Sequence, residues 1–322
     1  MNDKVMVTGG LGMVGSHVSR ALVASGRRPV IYDSTGDTSL IPDVAARCEI
    51  VQGDIDDLPH LMSVVREHKP AAILHFAAQV GPQVEQFPWA ALNTNLLGTT
   101  TLFECARLMG VERVMFPSSK MVYGPVAQCH RHPSYEPVTE EHPREPTQFY
   151  GKLKRACEDV AAHYAALYGL DVVAFRFGSS FGPGKPGRHK VAVAALIEAA
   201  IARQPLHFAG GAEQFDDLCY SGEAANAAMT ALDSAPAHGR LRVYNISSGE
   251  LISLAQIIAV LKELHPGWEG SAGAGLDYRQ MGAGHYFSMA IGKAREELGF
   301  RPKFDFRSAA LDYAALLKLP AP

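Results

Sequence analysis

Residues 4–26 read KVMVTGGLGMVGSHVSRALVASG, and the fold turns on this stretch. Residues 4–9 are a short apolar, β-branched run, and from residue 15 the apolar positions recur at helical spacing, so the sequence predicts strand, glycine turn, helix. Gly9, Gly12 and Gly15 occupy the turn. The first permits a tight exit from the strand, the second lets a pyrophosphate approach the backbone, and the third lets the helix pack close to the strand. The helix N-terminus then offers free N–H groups to an anion, and Met13 and Val14 in its first turn are expected to line the same cradle. Asp33 ends the next strand about 20 residues on, where a carboxylate accepts hydrogen bonds from an adenosine ribose. Its charge would repel the extra phosphate of NADP, so the expected cofactor is NAD.

Outward from the fingerprint, short β-branched runs at 29–33, 48–54, 71–77, 113–119 and 171–177 alternate with amphipathic stretches such as LPHLMSVVREHK and YGKLKRACEDVAAHYAALYG. Such alternation predicts a doubly wound parallel α/β sheet of the Rossmann type. Asp54 and Ile55, closing the third strand, could flank adenine or simply make a turn. After Phe177 the texture shifts to a Gly, Pro and Lys rich loop, GSSFGPGKPGRHK, followed by a helix, a short LHFAG strand and another polar turn. The expected division is an NAD-binding domain over 1–178, to which 215–246 returns, and a smaller α/β substrate-binding region over 179–214 and 247–322.

Bulk composition narrows the partners. With 322 residues and 47% hydrophobic content the chain can build a large core, and a net charge of −3 lacks the basic surplus that a nucleic-acid backbone demands. Five cysteines without a Cys-x-x-Cys pair fit a reducing compartment, so a cytoplasmic protein is expected. The longest apolar run, VAVAALIEAAIA, is too short for a bilayer, and the N-terminus enters a strand directly with no signal-peptide pattern.

QFYGKLKRAC, residues 148–157, places Tyr150 and Lys154 on one face at the start of a helix. A phenol has a pKa near 10, so serving as a base near neutrality requires a fall of about three units, or ~4 kcal/mol. One cation about 5 Å away at an effective dielectric of about 20 supplies ~3 kcal/mol, which makes Lys154 the expected source and a positively charged nicotinamide the supplement. FPSSKMVYG ends the fifth strand at the carboxyl edge of the sheet, where its Ser119 can hydrogen-bond the oxygen that Tyr150 deprotonates.

Together TGGLGMVG, HFAA after the fourth strand, SSKMVYG, Tyr150-Gly-Lys-Leu-Lys154 and RFGSSFGPG resemble the extended short-chain dehydrogenase/reductases of the NAD-dependent epimerase/dehydratase family. The resemblance implies that Ser119, Tyr150 and Lys154 form the catalytic set, with Lys154 also on the nicotinamide ribose. It implies that Ala77, Ala78, Asn95 and Phe177 line the cofactor, and that the protein is a homodimer paired through helices beginning near Glu85 and Tyr150.

Three departures shape the functional expectation. Met121 stands where family dehydratases carry an acid, so elimination is disfavoured. Ser179 and Asp216 stand where nucleotide-sugar members present Asn and Arg to a diphosphate, and a carboxylate in place of a cation turns attraction into repulsion. Arg279, Arg188 or Lys190 could compensate; Gln79, Lys120, Ser179, Arg188, Asp216 and Arg279 are the candidate substrate contacts. Without a tether the ketone escapes, so the expected net reaction is dehydrogenation or reduction at a secondary alcohol or ketone of a polar, sugar-like small molecule. A nucleotide-sugar 4-epimerase is the alternative, and a non-catalytic NAD-binding regulator a second one, against which the presence of both Tyr150 and Lys154 speaks. CHRH, with Cys129, His130 and His132, is expected to contact substrate and hold no metal, because residues this crowded need a fourth ligand from elsewhere. His75 is expected to be a packed histidine.

Overall fold

The computed structural model describes residues 4–184 and 191–318, so the candidates Arg188 and Lys190 lie outside the described residues. Its strands are β1 Val5–Thr8, β2 Val30–Asp33, β3 Glu49–Gln52, β4 Ala72–His75, β5 Arg113–Ser119, β6 Asp171–Phe177, β7 Ser179–Phe181, β8 Leu206–Phe208, β9 Phe215–Tyr220, β10 Leu241–Ile246, β11 Leu251–Ser253 and β12 Gly270–Ala272. The α-helices are α1 Met13–Ala24, α2 Leu58–His68, α3 Gln83–Gln86, α4 Pro88–Leu92, α5 Gly98–Met109, α6 Phe149–Tyr168, α7 Ala192–Ala202, α8 Ser221–Leu232, α9 Leu254–Leu264, α10 Gly292–Glu297 and α11 Phe306–Leu317.

Seven strands form one parallel sheet in the order β10-β6-β5-β4-β1-β2-β3. Both faces are covered. Val5 and Val7 pack with Leu74, Val173 and Phe175 on one side, while Met6 packs with Ile73, Val114 and Val172 on the other. Alternate residues of each strand therefore meet different cores, which is why these strands read as continuous apolar runs. Chain order reverses between β1 and β4, and the crevice beyond their carboxyl ends is the place where open α/β sheets bind ligands.

The expected returning segment 215–246 divides between two sheets. Strand β10 pairs in parallel with β6, whereas β9 pairs with β7 and β11 in a separate three-stranded sheet. The polar turn expected after LHFAG thus contains a strand, β9, and the loop expected after Phe177 contains another. Both escape the hydrophobic pattern, β7 because it has three residues and β9 because its FDDLCY carries two buried aspartates. A third core, including Leu196, Ile197, Leu254, Trp268 and Tyr313, supports these strands.

Candidate active site

The fingerprint turn is built for backbone approach. Gly9 has φ +69°, and a Cβ there would stand 2.4 Å from the amide nitrogen of Ala77 at the exit of β4. At Gly15 a Cβ would lie 2.1 Å from the Gly9 carbonyl oxygen, so only a bare Cα lets α1 start this close to β1. Gly12 caps α1 without a side-chain bond, and the helix has no acidic residue in its first turn, which leaves its positive end open to an anion. Asp33 reaches across from β2, its two oxygens accepting from the Leu11 amide at 3.0 Å and the Thr35 amide at 3.2 Å, so the carboxylate is fixed beside the cradle with lone pairs to spare. Met13 and Val14 lie half-buried in the first turn of α1. These residues fit a dinucleotide. Asp54 has an exposed side chain, and Ile55 is packed in the core against Gly98.

Ser119 ends β5 in register with Phe177 of β6, and α6 brings Tyr150 and Lys154 to the same edge. The Lys154 ammonium nitrogen lies 5.8 Å from the centre of the Tyr150 ring. The electrostatics differ from the expectation. Burial pushes the Tyr150 phenol up, Cys157 adds to this, and the hydrogen bond with Ser119 pulls the other way. Burial also lowers Lys154, against the opposing pull of Cys157 and Glu158. Desolvation therefore dominates the phenol in the protein alone, and a phenolate requires positive charge brought in with the cofactor.

Around this set the loop leaving β4 is held from behind. The Asn95 side chain accepts from the Gln79 amide at 2.7 Å and donates to the Gln79 carbonyl at 2.9 Å, so it acts as a clamp on the segment carrying Ala77 and Ala78. It does so from a π-turn, Asn93–Leu97, a distortion that recurs at functional sites. His75 hydrogen-bonds Thr8 at 2.6 Å and Thr99 at 3.0 Å, and burial followed by Lys154 lowers its pKa to about 3, so it is a neutral packed histidine.

Four of the six substrate candidates converge on one carboxylate. Asp216 is wholly buried; its Oδ1 accepts from the Lys120 ammonium at 3.0 Å and Ser179 Oγ at 2.7 Å, and its Oδ2 accepts from Tyr278 Oη at 3.0 Å and lies 3.0 Å from Arg279 Nη2. Burial alone would raise its pKa, but Arg279 and then Lys120 outweigh this and hold the carboxyl below its ordinary value. The Asp216 carboxylate expected to repel a diphosphate is thus not unopposed: Lys120 and Arg279 both stand against it, although burial lowers the Lys120 pKa against the pull of Asp216 and Asp217. Ser179, Val191, Val193, Asp216, Tyr278 and Arg279 line an adjoining cavity. Gln79 is engaged instead with Asn95 and Thr94.

The profile of the NAD dependent epimerase/dehydratase family matches residues 5–247. The chain belongs to this family. It is similar to a UDP-glucose 4-epimerase of Rhizobium meliloti (strain 1021), with 31% identity over 94% of each chain. Among solved structures, the UDP-glucose 4-epimerase of Thermus thermophilus, in complex with NAD, is 26% identical with a TM-score of 0.80 over 98% of this chain and 99% of that one. The UDP-glucose 4-epimerase of Thermotoga maritima, with UDP-glucose, shares the fold at a TM-score of 0.85 and 24% identity over 98% of each chain. The enzyme is NAD-dependent, as its family is.

Two features of this family member escape sequence reasoning. Cys129, His130 and Glu136 offer ligand atoms within 4.8 Å of one another, so Glu136, rather than His132, joins Cys129 and His130 in the loop. The second is Glu85. Helix α6 has no side-chain bond from its own N-cap, Gln148; instead Glu85 Oε1 accepts from the Phe149 amide at 2.8 Å and the Tyr150 amide at 3.4 Å. A capping signal could not be read because the partner lies 64 residues away. Glu85→Ala is expected to cost about 1 kcal/mol of stability in urea unfolding. Because the capped turn carries Tyr150, kcat should fall severalfold with little change in KM, and Glu85→Gln, which keeps the acceptor, should recover most of it.

Proposed function

We propose that the protein interconverts the C4 epimers of a nucleotide-diphosphate hexose, with a UDP-hexose as the first substrate to test, and retains NAD through the cycle. The observation that carries this reading is the neutralised Asp216. Epimerisation needs the ketone held while it turns over, and the argument against holding rested on Ser179 in place of an Asn and, more heavily, on a carboxylate in place of an Arg. With Lys120 and Arg279 on that carboxylate, the site has cationic material for a diphosphate anchor. Relatives named UDP-glucose 4-epimerase over nearly the full length support the same reading.

In this mechanism Tyr150 exchanges the proton of the reacting hydroxyl, Ser119 orients that hydroxyl and shares its hydrogen bond, and Lys154 holds the cofactor ribose and adds positive charge beside the phenol. Gly9, Gly12, Gly15, Met13 and Val14 receive the pyrophosphate, Asp33 the adenosine ribose, and Ala77, Ala78 and Phe177 the space between. The bound cofactor supplies a reversible hydride acceptor. Residues 179–214 and 247–322 are assigned to the substrate, and the sheet with α1, α2, α5, α6 and α8 to NAD. A homodimer is proposed, supported by the exposed apolar side chains Phe87, Trp89, Leu97, Leu167 and Tyr168 on the segments from α3 to α6. A cytoplasmic location is proposed because the five cysteines are free and four are buried, and among the described residues no helix is long and apolar enough to cross a membrane.

The test is conversion of UDP-glucose or another UDP-hexose to its C4 epimer by purified enzyme with no NAD added, together with NAD recovered from the denatured protein. Stoichiometric NADH from free polyols or sugar acids, without interconversion of any nucleotide sugar, would return the protein to simple dehydrogenation.

A further inference from the structure

We propose that Lys120 is the residue that determines recognition of the substrate's diphosphate, and that Asp216 is the post that aims it; this rests on the nucleotide-sugar reading above. Lys120 follows Ser119 directly and opens a short 3-10 turn, Lys120–Tyr123, at the carboxyl edge of β5. Its side chain is buried, with the ammonium 3.0 Å from Asp216 Oδ1 and 5.1 Å from the centre of the Phe287 ring. An ammonium has three donors, and among the described residues its hydrogen-bond acceptor is Asp216. A buried ion pair of this kind adds little net stability, so its presence asks for another reason.

The neighbouring groups point to an anion. Arg279 Nε and Nη2 are buried without a hydrogen-bond partner, since the contact of Nη2 with Asp216 is close but not aligned, and His285 Nδ1 is likewise orphaned. His285 is 5% exposed and lies near Lys120 and Arg279. A buried guanidinium donor left without a partner is costly, so these groups ask for an acceptor. Open guanidinium donors beside two cations are matched by a ligand with several anionic oxygens; the adjoining cavity, about 10 Å³, holds no more than a water, so such a ligand must part the side chains at this edge. Asp216 cannot itself recruit such a ligand. It is tied by Ser179, Tyr278 and the Asp217 amide, which leaves it a fixed counter-ion that sets the position of both cations. Lys120 stands just past the end of β5 and Asp216 on β9, so the anchor joins the end of the strand carrying the catalytic serine to the three-stranded sheet.

The experiment measures UDP binding by calorimetry to the NAD-loaded enzyme. Lys120→Met should weaken UDP at least about 30-fold, because it removes a cation and leaves Asp216 facing the diphosphate. Since that variant carries an unbalanced buried carboxylate and can misfold, the double variant Lys120→Met with Asp216→Asn removes both charges together; it should melt like the wild type and still bind UDP at least tenfold more weakly. KM for the UDP-hexose should rise in parallel while kcat changes less. Wild-type enzyme that binds UDP, with a folded double variant binding within twofold of it, overturns the assignment of Lys120 and leaves the epimerase reading standing. Wild-type enzyme that does not bind UDP overturns both.

Discussion

Tyr150→Phe should lower kcat by about a thousandfold while NAD content and melting temperature stay near wild type, within the range by which a positioned acid–base group accelerates proton transfer. The substitution removes one oxygen from a partly exposed side chain and with it the hydrogen bond to Ser119, so the scaffold has little reason to respond. Retained NAD matters to the interpretation: it separates loss of a proton acceptor from loss of the cofactor. The pH dependence has a definite sign. Burial holds the phenol above its ordinary pKa in the protein alone, so the ionised fraction rises tenfold per pH unit across the neutral range. The kcat/KM of wild type should therefore climb with pH until it reaches the phenol's pKa in the cofactor-loaded enzyme, and the residual activity of Tyr150→Phe should lack that slope. A variant that keeps wild-type kcat would remove Tyr150 from the chemistry.

Where the sequence could be read correctly, the information was local. The glycine turn is legible because the constraint acts on the backbone itself: a Cβ at Gly15 collides with a carbonyl six residues earlier, so residue type and spacing carry the geometry. The parallel strands are legible because burial on both faces makes them continuously apolar. The charged cluster was legible as a set of residues but not in its sign. Asp216 read alone is a repelling carboxylate; its meaning changes once Lys120, 96 residues before it, stands 3.0 Å away. Glu85 at the start of α6 failed to show for the same reason. The Tyr150 electrostatics failed differently, since spacing gave the distance to a cation while the larger influence, desolvation, depends on packing that no spacing encodes.

Strand β9 carries a second aspartate, and its replacement should have a large, pH-dependent effect. Neighbouring residues of a strand face opposite ways, so Asp217 does not share the cations of Asp216 in the same measure. It is fully buried; Oδ2 accepts from the Met289 amide at 2.7 Å, and Oδ1 has no partner among the described residues. Burial pushes its pKa up to about 7, against the pull of the Met289 amide, Ser247 and Lys120, with Asp216 adding to the rise. A carboxyl whose folded pKa exceeds its unfolded value binds its proton more tightly in the native state. Its contribution to stability is complete below pH about 3.8 and is lost progressively as pH rises to about 7, where the native protein must carry an unbalanced buried charge. Three pH units correspond to ~4 kcal/mol, an upper figure that relaxation around the site will reduce. Asp217→Asn keeps an acceptor for the Met289 amide and abolishes the titration. Its stability relative to wild type, measured by urea unfolding from pH 5 to 8.5, should increase up to about pH 7 and then level off. A difference that stays flat across this range would mean that Asp217 titrates as an ordinary carboxylate, and that the two aspartates of β9 share the compensation of Lys120 and Arg279 instead of dividing into one ionised and one protonated residue.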